Sequence, residues 1–338
     1  MPEINKQQAE EFLSNISKED NVAIIHHDDG DGVCSGIILN EHCIKQGATT
    51  KTFTYHLSKT KLSELDLSAF NKIIITDVSV KAIQEDIKSI KNTQIFVTDH
   101  HPKYDLPNDV LYFPTTAEGY IPSSRTAYEL TGIKKWLALI GVIADSGNLY
   151  KENDNFIKET LEELNLTLEE FQKKYSHIFS DTIVYFADTP EKIFPILAEI
   201  NSLHDIEKLQ KYAKVIEEEI QKHVKGYKAN KEKIGNINLY QFEPKFQVKG
   251  IVAAILSRGN QEETFIFFSQ KDSDPNLLGI SARDQSPNAN LPKLLEAATK
   301  DLENSNCGGH PRASGGQIQT KDLEKFKNNL KDYIQKQP

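Results

Sequence analysis

Ile24-Ile25-His26-His27-Asp28-Asp29-Gly30-Asp31-Gly32 is an apolar run that ends abruptly in imidazoles and carboxylates. Crowding so many acids at one strand end costs repulsion unless a cation neutralises them, so the stretch reads as a divalent-metal site. The same device recurs downstream as Ile73-Ile74-Ile75-Thr76-Asp77 and as Ile95-Phe96-Val97-Thr98-Asp99-His100-His101. A fourth segment, Gly141-Val142-Ile143-Ala144-Asp145-Ser146-Gly147, closes an apolar run with another Asp. In parallel α/β sheets, sites gather outside the carboxyl ends of the strands, so these distant motifs are expected to converge.

Working outward, apolar spacing predicts a helix over Ile4 to Ile16 and buried strands over Val22 to Ile25, Lys72 to Val78 and Gln94 to Thr98, with Lys51 to Tyr55 as an edge strand. A helix is expected to begin at Ser35, another to cover Val80 to Ile90, and a third to be capped by Ser123 or Ser124. Trp136 to Ile143 reads as a buried helix and 154–200 as mostly helical. Strand–helix alternation of this kind gives a parallel sheet covered on both faces. From His204 to Val224 helical spacing continues amid heavy charge until Gly226, where an interruption is expected. Strand patterns resume at Ile237 to Phe242, Thr264 to Ser269 and Leu278 to Ala282, with helices at Val252 to Leu256, Leu291 to Thr299 and Lys321 to Ile334. The expected fold is therefore α/β, with an N-terminal parallel-sheet domain (1–203) joined by a long helix (204–231) to a smaller α/β domain (232–338).

A chain of 338 residues is long for one core and comfortable for two. Its 38% apolar and 26% charged content is that of an ordinary globular protein, and no apolar run reaches membrane-spanning length. Met1 to Lys6 lacks the apolar core of a secretory signal, which makes a cytoplasmic location and no membrane partner the expectation. Three cysteines, Cys34, Cys43 and Cys307, form neither an even disulfide framework nor a C-x-x-C zinc pattern. With 40 basic against 49 acidic residues the net charge is −9, which argues against broad non-specific duplex binding and leaves short or single-stranded substrates open.

Taken singly, Asp77 and Asp145 read as loop caps. Four segment ends that all carry ligand-type residues are hard to explain by capping. His27, Asp29 and Asp31, at alternate positions, are expected to share one side of an extended or turning segment. With Asp77, His100 and Asp145 they make six donors, too many for one ion that must also hold water and substrate, so two ions are expected. Oxygen and imidazole donors without thiolate suit Mn²⁺ or Mg²⁺, and the nitrogens favour Mn²⁺. Such a pair serves phosphoryl transfer to water. His101 is left beside the cluster to contact a phosphate, to protonate a leaving oxygen, or to support a ligand by a hydrogen bond.

A second dense stretch is Asn306-Cys307-Gly308-Gly309-His310-Pro311-Arg312-Ala313-Ser314-Gly315-Gly316. Read as a turn, Gly308 and Gly309 would let backbone N–H groups approach an anion, with His310 and Arg312 as added donors. Ser281 and Arg283, alternate residues on a strand, face the same way and complete a phosphate cradle.

These motifs resemble the DHH phosphoesterase superfamily, in its branch with a DHHA1 substrate-binding domain. Asp99-His100-His101 is the triplet that names it. His27 to Gly32 resembles its first motif, Asp77 its second, Gly141 to Gly147 its fourth, and Cys307 to Gly316 its Gly-Gly-Gly-His segment, with Cys307 in place of the first glycine. The resemblance implies that 1–203 is the catalytic DHH domain, with the active site in the cleft between it and DHHA1. It implies that His27, Asp29 and Asp77 hold one Mn²⁺ while Asp31, Asp77, His100 and Asp145 hold the other. Asp77 and His101 would be catalytic, His101 would face substrate, and Arg283 and His310 would bind the nucleotide phosphate or end group. His26 and His27 compete for one ligand place; His27 is preferred because archaeal RecJ-like exonucleases, the members most alike, place the His two residues before the first Asp.

The implied function is a metal-dependent exonuclease that releases nucleotides from single-stranded or short RNA or DNA. The alternatives are a hydrolase of small nucleotides (nanoRNA, cyclic dinucleotides or 3′-phosphoadenosine 5′-phosphate), a polyphosphate or pyrophosphate hydrolase, and a non-enzymatic replication scaffold. A homodimer and a replication-protein partner both stay open.

Overall fold

The computed structural model describes residues 3–57, 59–115, 119–271 and 274–336. The chain divides into two compact units, Met1–Ala213 and Lys214–Pro338. The first contains α1 (Lys6–Ser14), β1 (Asn21–His27), α2 (Gly30–Lys45), β2 (Thr49–Tyr55), β3 (Lys72–Thr76), α3 (Val80–Ile87), β4 (Gln94–Asp99), β5 (Val110–Pro114), α4 (Ser123–Thr131) and α5 (Lys135–Ala144). Helices α6 (Asp154–Leu164), α7 (Leu168–Phe171), α8 (His177–Tyr185) and α9 (Ile193–Ala198) follow.

The five strands pair in parallel in the order β2-β1-β3-β4-β5. Alternate side chains enter two cores, Ile24, Ile74 and Phe96 on one face and Ile25, Ile73, Ile75 and Val97 on the other. A strand buried on both faces reads as a continuous apolar run, which is why Ile73, Ile74 and Ile75 stand side by side. Each is fully buried, contributing roughly 1.5–3 kcal/mol. Register then positions the chemistry. His26 pairs with Thr76 and Thr76 with Thr98, so the next residues along each strand, His27, Asp77 and Asp99, emerge at one edge.

Two local expectations are corrected. Helix α2 starts at Gly30 rather than Ser35, because the Asp29 side chain accepts the Gly32 N–H at 2.9 Å and acts as its N-cap. His27, Asp29 and Asp31 are therefore a strand end, a cap and a first-turn residue, not alternate residues of one extended segment. Neither Ser123 nor Ser124 caps α4. Pro122 is the N-cap and gives no side-chain hydrogen bond.

The second unit carries α10 (Gln210–Asn230), whose first turn belongs to the other unit, then β6 (Glu232–Ile234), β7 (Ile237–Gln241), α11 (Lys249–Ser257), β8 (Thr264–Lys271), β9 (Asp274–Asp284), α12 (Leu291–Ala298), β10 (Asn306–His310), β11 (Ala313–Gln319) and α13 (Leu323–Gln335). Its mixed sheet runs β10-β11-β9-β8-β7-β6. Leu295, Phe326 and Leu330 from α12 and α13 cover the face that holds Ile266, Leu278, Ile280 and Ala282. On the opposite face Phe267 packs against Tyr227 and Tyr240.

Gly226 does not interrupt α10. A Cβ there would meet the Tyr240 hydroxyl at 2.6 Å, so the glycine serves close packing rather than a break. Nor is the Gly308-Gly309 stretch a turn. It is the edge strand β10, paired antiparallel with β11. Among the described residues no helix is long and apolar enough to cross a membrane.

Candidate metal centre and phosphate-binding face

At the carboxyl edge of the parallel sheet, the strand ends and α5 bring the acids and imidazoles together. Ligand atoms of His27, Asp29 and Asp77 lie within 4.8 Å of one another, as do those of Asp31, His100 and Asp145, and those of Asp77, His100 and His101. Asp77 and His100 each belong to two of these groups. His100 Nε2 is 3.2 Å from Asp77 Oδ1 and 3.6 Å from Asp145 Oδ2. His27 Nδ1 is 2.8 Å from Asp29 Oδ2.

The backbone is shaped for this. Asp77 adopts a left-handed conformation, φ 60°, and its N–H donates to Thr98 O at 3.1 Å. Ser146, after Asp145, is also left-handed at φ 59°. Non-glycine residues held there cost about 1–3 kcal/mol and cluster at functional sites. Gly32 is required, since a Cβ would lie 2.6 Å from both Cβ and O of His27.

His26 points elsewhere. Its ring is buried against Phe194, centroids 4.9 Å apart, and Nδ1–H donates to the His27 carbonyl at 2.7 Å. Burial drives its pKa down to about 4, so it stays neutral in the core. The imidazole beside the carboxylates is that of His27.

Electrostatics mark the cluster as crowded with negative charge. Burial, then Asp29, Asp31, Asp99 and Asp145, pushes Asp77 well above the usual carboxylate range. Burial and Asp31 raise Asp145 to about 7, although Tyr120 works against the shift. Burial also raises Asp31. Like charges desolvated together either hold protons or share a cation. The donor set, carboxylate oxygens and imidazole nitrogens with no thiolate, fits a hard divalent cation. Cys34 is buried, which holds its thiol protonated.

His101 stands apart in its chemistry. Its Nδ1–H donates to Asp99 Oδ1 at 2.7 Å, and Asp99 is fully buried. That hydrogen bond raises the His101 pKa despite opposing burial. Nε2 is thereby left to act outward.

In the second unit, register gathers the predicted anion-binding residues. His310 pairs with Ala313, which pairs with Arg283, and Gly308 pairs with Gly315, which pairs with Ser281. Directly paired residues face the same way, so Gly308, His310, Ser281 and Arg283 share one face. Gly309 is on the other. It is left-handed at φ 132°, and a Cβ would lie 2.7 Å from Ala313 O, so its glycine serves the hairpin. Cys307 packs on the α12–α13 core and leaves the Ser281 face untouched. Arg312 lies in the exposed turn between β10 and β11. Arg283 is partly buried, and burial lowers its pKa. Among the described residues it forms no ion pair.

Residues 21–163 match the DHH family, N-terminal domain, and residues 235–336 match the DHHA1 domain. The chain belongs to the DHH–DHHA1 family. No curated protein sequence matches it. Among solved structures, this DHH–DHHA1 chain resembles exonuclease RecJ bound to manganese at 16% identity and TM-score 0.72, covering 100% of this chain and 96% of that one. RecJ with Mn²⁺ from Thermus thermophilus gives the same identity and TM-score, with 100% of this chain matched to 56% of that longer one. An exopolyphosphatase-related protein from Bacteroides fragilis follows at 15% identity and TM-score 0.57, covering 98% of both chains.

In each unit, contacts that the sequence does not signal support the candidate groups. Asp31 accepts the backbone N–H groups of Ser123 and Ser124, at 2.6 and 2.9 Å, and so closes the α4 N-terminus from across the fold. The Ser123 hydroxyl donates to Asp77 Oδ1 at 3.1 Å, and that of Tyr120 to Asp145 Oδ2 at 2.7 Å. In the second unit Lys249 extends the predicted cradle. A Cβ at Gly279 would meet its Nζ at 2.6 Å, which places the amine over the strand that carries Ser281 and Arg283. Burial and Lys271 lower its pKa to about 8.

Proposed function

We propose that this chain is a phosphodiesterase that releases nucleotides from the end of single-stranded or short RNA or DNA. What carries the reading is the meeting of His27, Asp29, Asp31, Asp77, His100 and Asp145, with Asp77 grouped once with His27 and Asp29 and once with His100 and His101. His27, Asp29 and Asp77 would hold one cation. Asp31, Asp77, His100 and Asp145 would hold a second, with Mn²⁺ preferred and Mg²⁺ able to substitute. Bound there, divalent cations supply a nucleophile at neutral pH and neutralise charge on the phosphoryl oxygens. The chain's own groups do the rest. Ser123 and Tyr120 orient Asp77 and Asp145 by hydrogen bonds, and His101, whose Nδ1–H donates to Asp99, turns Nε2 towards a phosphate or leaving oxygen. Ser281, Arg283, His310 and Lys249 give the second unit a face suited to phosphate.

A hydrolase of small nucleotides is the second reading, favoured by the net charge of −9, which weakens the attraction for a long, highly charged strand. An end-labelled length series of RNA and DNA oligonucleotides, digested with Mn²⁺ or Mg²⁺ and resolved by size, tests both. Stepwise shortening of long single strands supports the exonuclease. Turnover confined to the shortest oligomers supports the second reading. Orthophosphate released from polyphosphate, with every oligonucleotide intact, overturns both.

A further inference from the structure

Polyphosphate and oligonucleotide offer a metal centre the same phosphoryl oxygens and differ in whether planar bases hang from the chain. The wall of the cluster bears on that difference. Tyr120, which holds Asp145, sets its ring edge-on to His100 with centroids 5.1 Å apart. Tyr150 stacks on Tyr120, centroids 4.2 Å apart and planes 16° from parallel. Tyr150 remains 42% exposed and its neighbour Leu149 is 77% exposed. Other exposed large apolar residues, such as Ile44, Leu57, Val215 and Ile255, stand singly in the sequence, as is ordinary on a surface. Leu149 and Tyr150 are adjacent in sequence, and the Tyr150 ring lies one ring beyond the proposed ligand His100.

The ledge is held by its backbone. Leu149 N–H donates to Ser146 O and Tyr150 N–H to Gly147 O, at 3.0 and 3.1 Å. The buried Asn153 amide donates to both Gly147 O and Tyr120 O at 2.9 Å. Tyr120 already orients Asp145 through its hydroxyl, so the outer ring of Tyr150 is spare to that task.

We propose that Tyr150, flanked by Leu149, is a stacking platform for the base of a nucleotide whose phosphate sits at the metal cluster. The inference rests on the phosphodiesterase reading above and narrows it to substrates that carry bases. Every base has a π face, so such a platform tolerates sequence, and it offers nothing to polyphosphate.

The test compares wild type, Tyr150→Ala and Tyr150→Phe, with Mn²⁺, on a short DNA oligomer and on the same oligomer with abasic nucleotides at both ends. Tyr150→Ala should raise KM for the base-bearing oligomer by roughly ten-fold, the effect of losing one stacked base. KM for the abasic oligomer should not move, kcat should hold in both cases, and Tyr150→Phe should match wild type. If Tyr150→Ala melts early, Tyr150→Leu keeps apolar bulk on Tyr120 without a π face and reads the same contrast. An unchanged KM on the base-bearing oligomer, or an equal loss on both oligomers, overturns the platform while leaving the phosphodiesterase reading in place. Wild type that cleaves neither oligomer overturns that reading, and the platform with it.

Discussion

Asp77 carries three constraints at once: a left-handed backbone, burial among other carboxylates, and a place in two ligand groups. Nothing in the packing asks for a negative charge there. Asp77→Asn keeps the shape and the Asp tolerance for positive φ, so in EDTA it should melt no earlier than wild type while hydrolysis with Mn²⁺ disappears. His100→Ala should likewise abolish turnover in a folded protein. Retained turnover in both variants would remove these residues from the reaction. Arg283→Ala should chiefly raise KM with little change in kcat, as loss of uniform substrate binding does. Equal kcat and KM to wild type would take Arg283 off the substrate. At this scale the six candidate donors could be picked out because they follow four apolar runs, three of them strands and one a helix. Tyr120, Ser123 and Ser124 could not be, since Tyr120 lies in a proline-punctuated loop, Ser123 and Ser124 open α4, and their contacts with Asp31, Asp77 and Asp145 exist only after folding.

Elements show where period and propensity succeed and where contact overrides them. The triple isoleucine of β3 marks a strand buried on both faces, and β3 is the central strand of the five. A glycine inside a helical pattern, by contrast, does not say why it is there. Gly226 looks like a break and is a packing site under Tyr240. Gly226→Ala should destabilise the second unit, and adding Tyr240→Phe, which removes the clashing hydroxyl, should restore most of its melting temperature. No rescue would mean that the clash is not the cause. The Gly308-Gly309 strand was misread for the same reason, because glycine permits both turn and extended backbone. At the amino edge of the sheet, Lys72 and Asp20 form a buried ion pair at 2.8 Å. Burial alone would raise the Asp20 pKa, but Lys72, the Ser17 N–H and Asn71 outweigh it and hold it low. A depressed carboxylate pKa contributes stability that is full above its unfolded value, about 3.9, and is lost as pH falls through the folded value. Lys72→Met should cost about 3 kcal/mol by urea unfolding at pH 7, because it leaves Asp20 buried and unpaired. The deficit should shrink below pH 4. A pH-independent deficit would assign the loss to packing instead.

At the scale of the whole chain, the two-part architecture was readable from the point where strand patterns resume after the charged helix. The division falls inside that helix, between Ala213 and Lys214, because its first turn belongs with the core of the first unit. Charge points the same way as the site. In a chain with net charge −9, the second unit nonetheless places Arg283 and His310 on one sheet face, with the Lys249 amine over the strand that carries Arg283. The central claim is that the clustered acids and imidazoles are a two-cation centre. Anomalous diffraction at the manganese absorption edge, from crystals soaked in MnCl₂, tests it most directly. Two peaks are predicted, one among His27, Asp29 and Asp77 and one among Asp31, Asp77, His100 and Asp145. Manganese bound elsewhere, or no peak within reach of Asp77, would contradict the account.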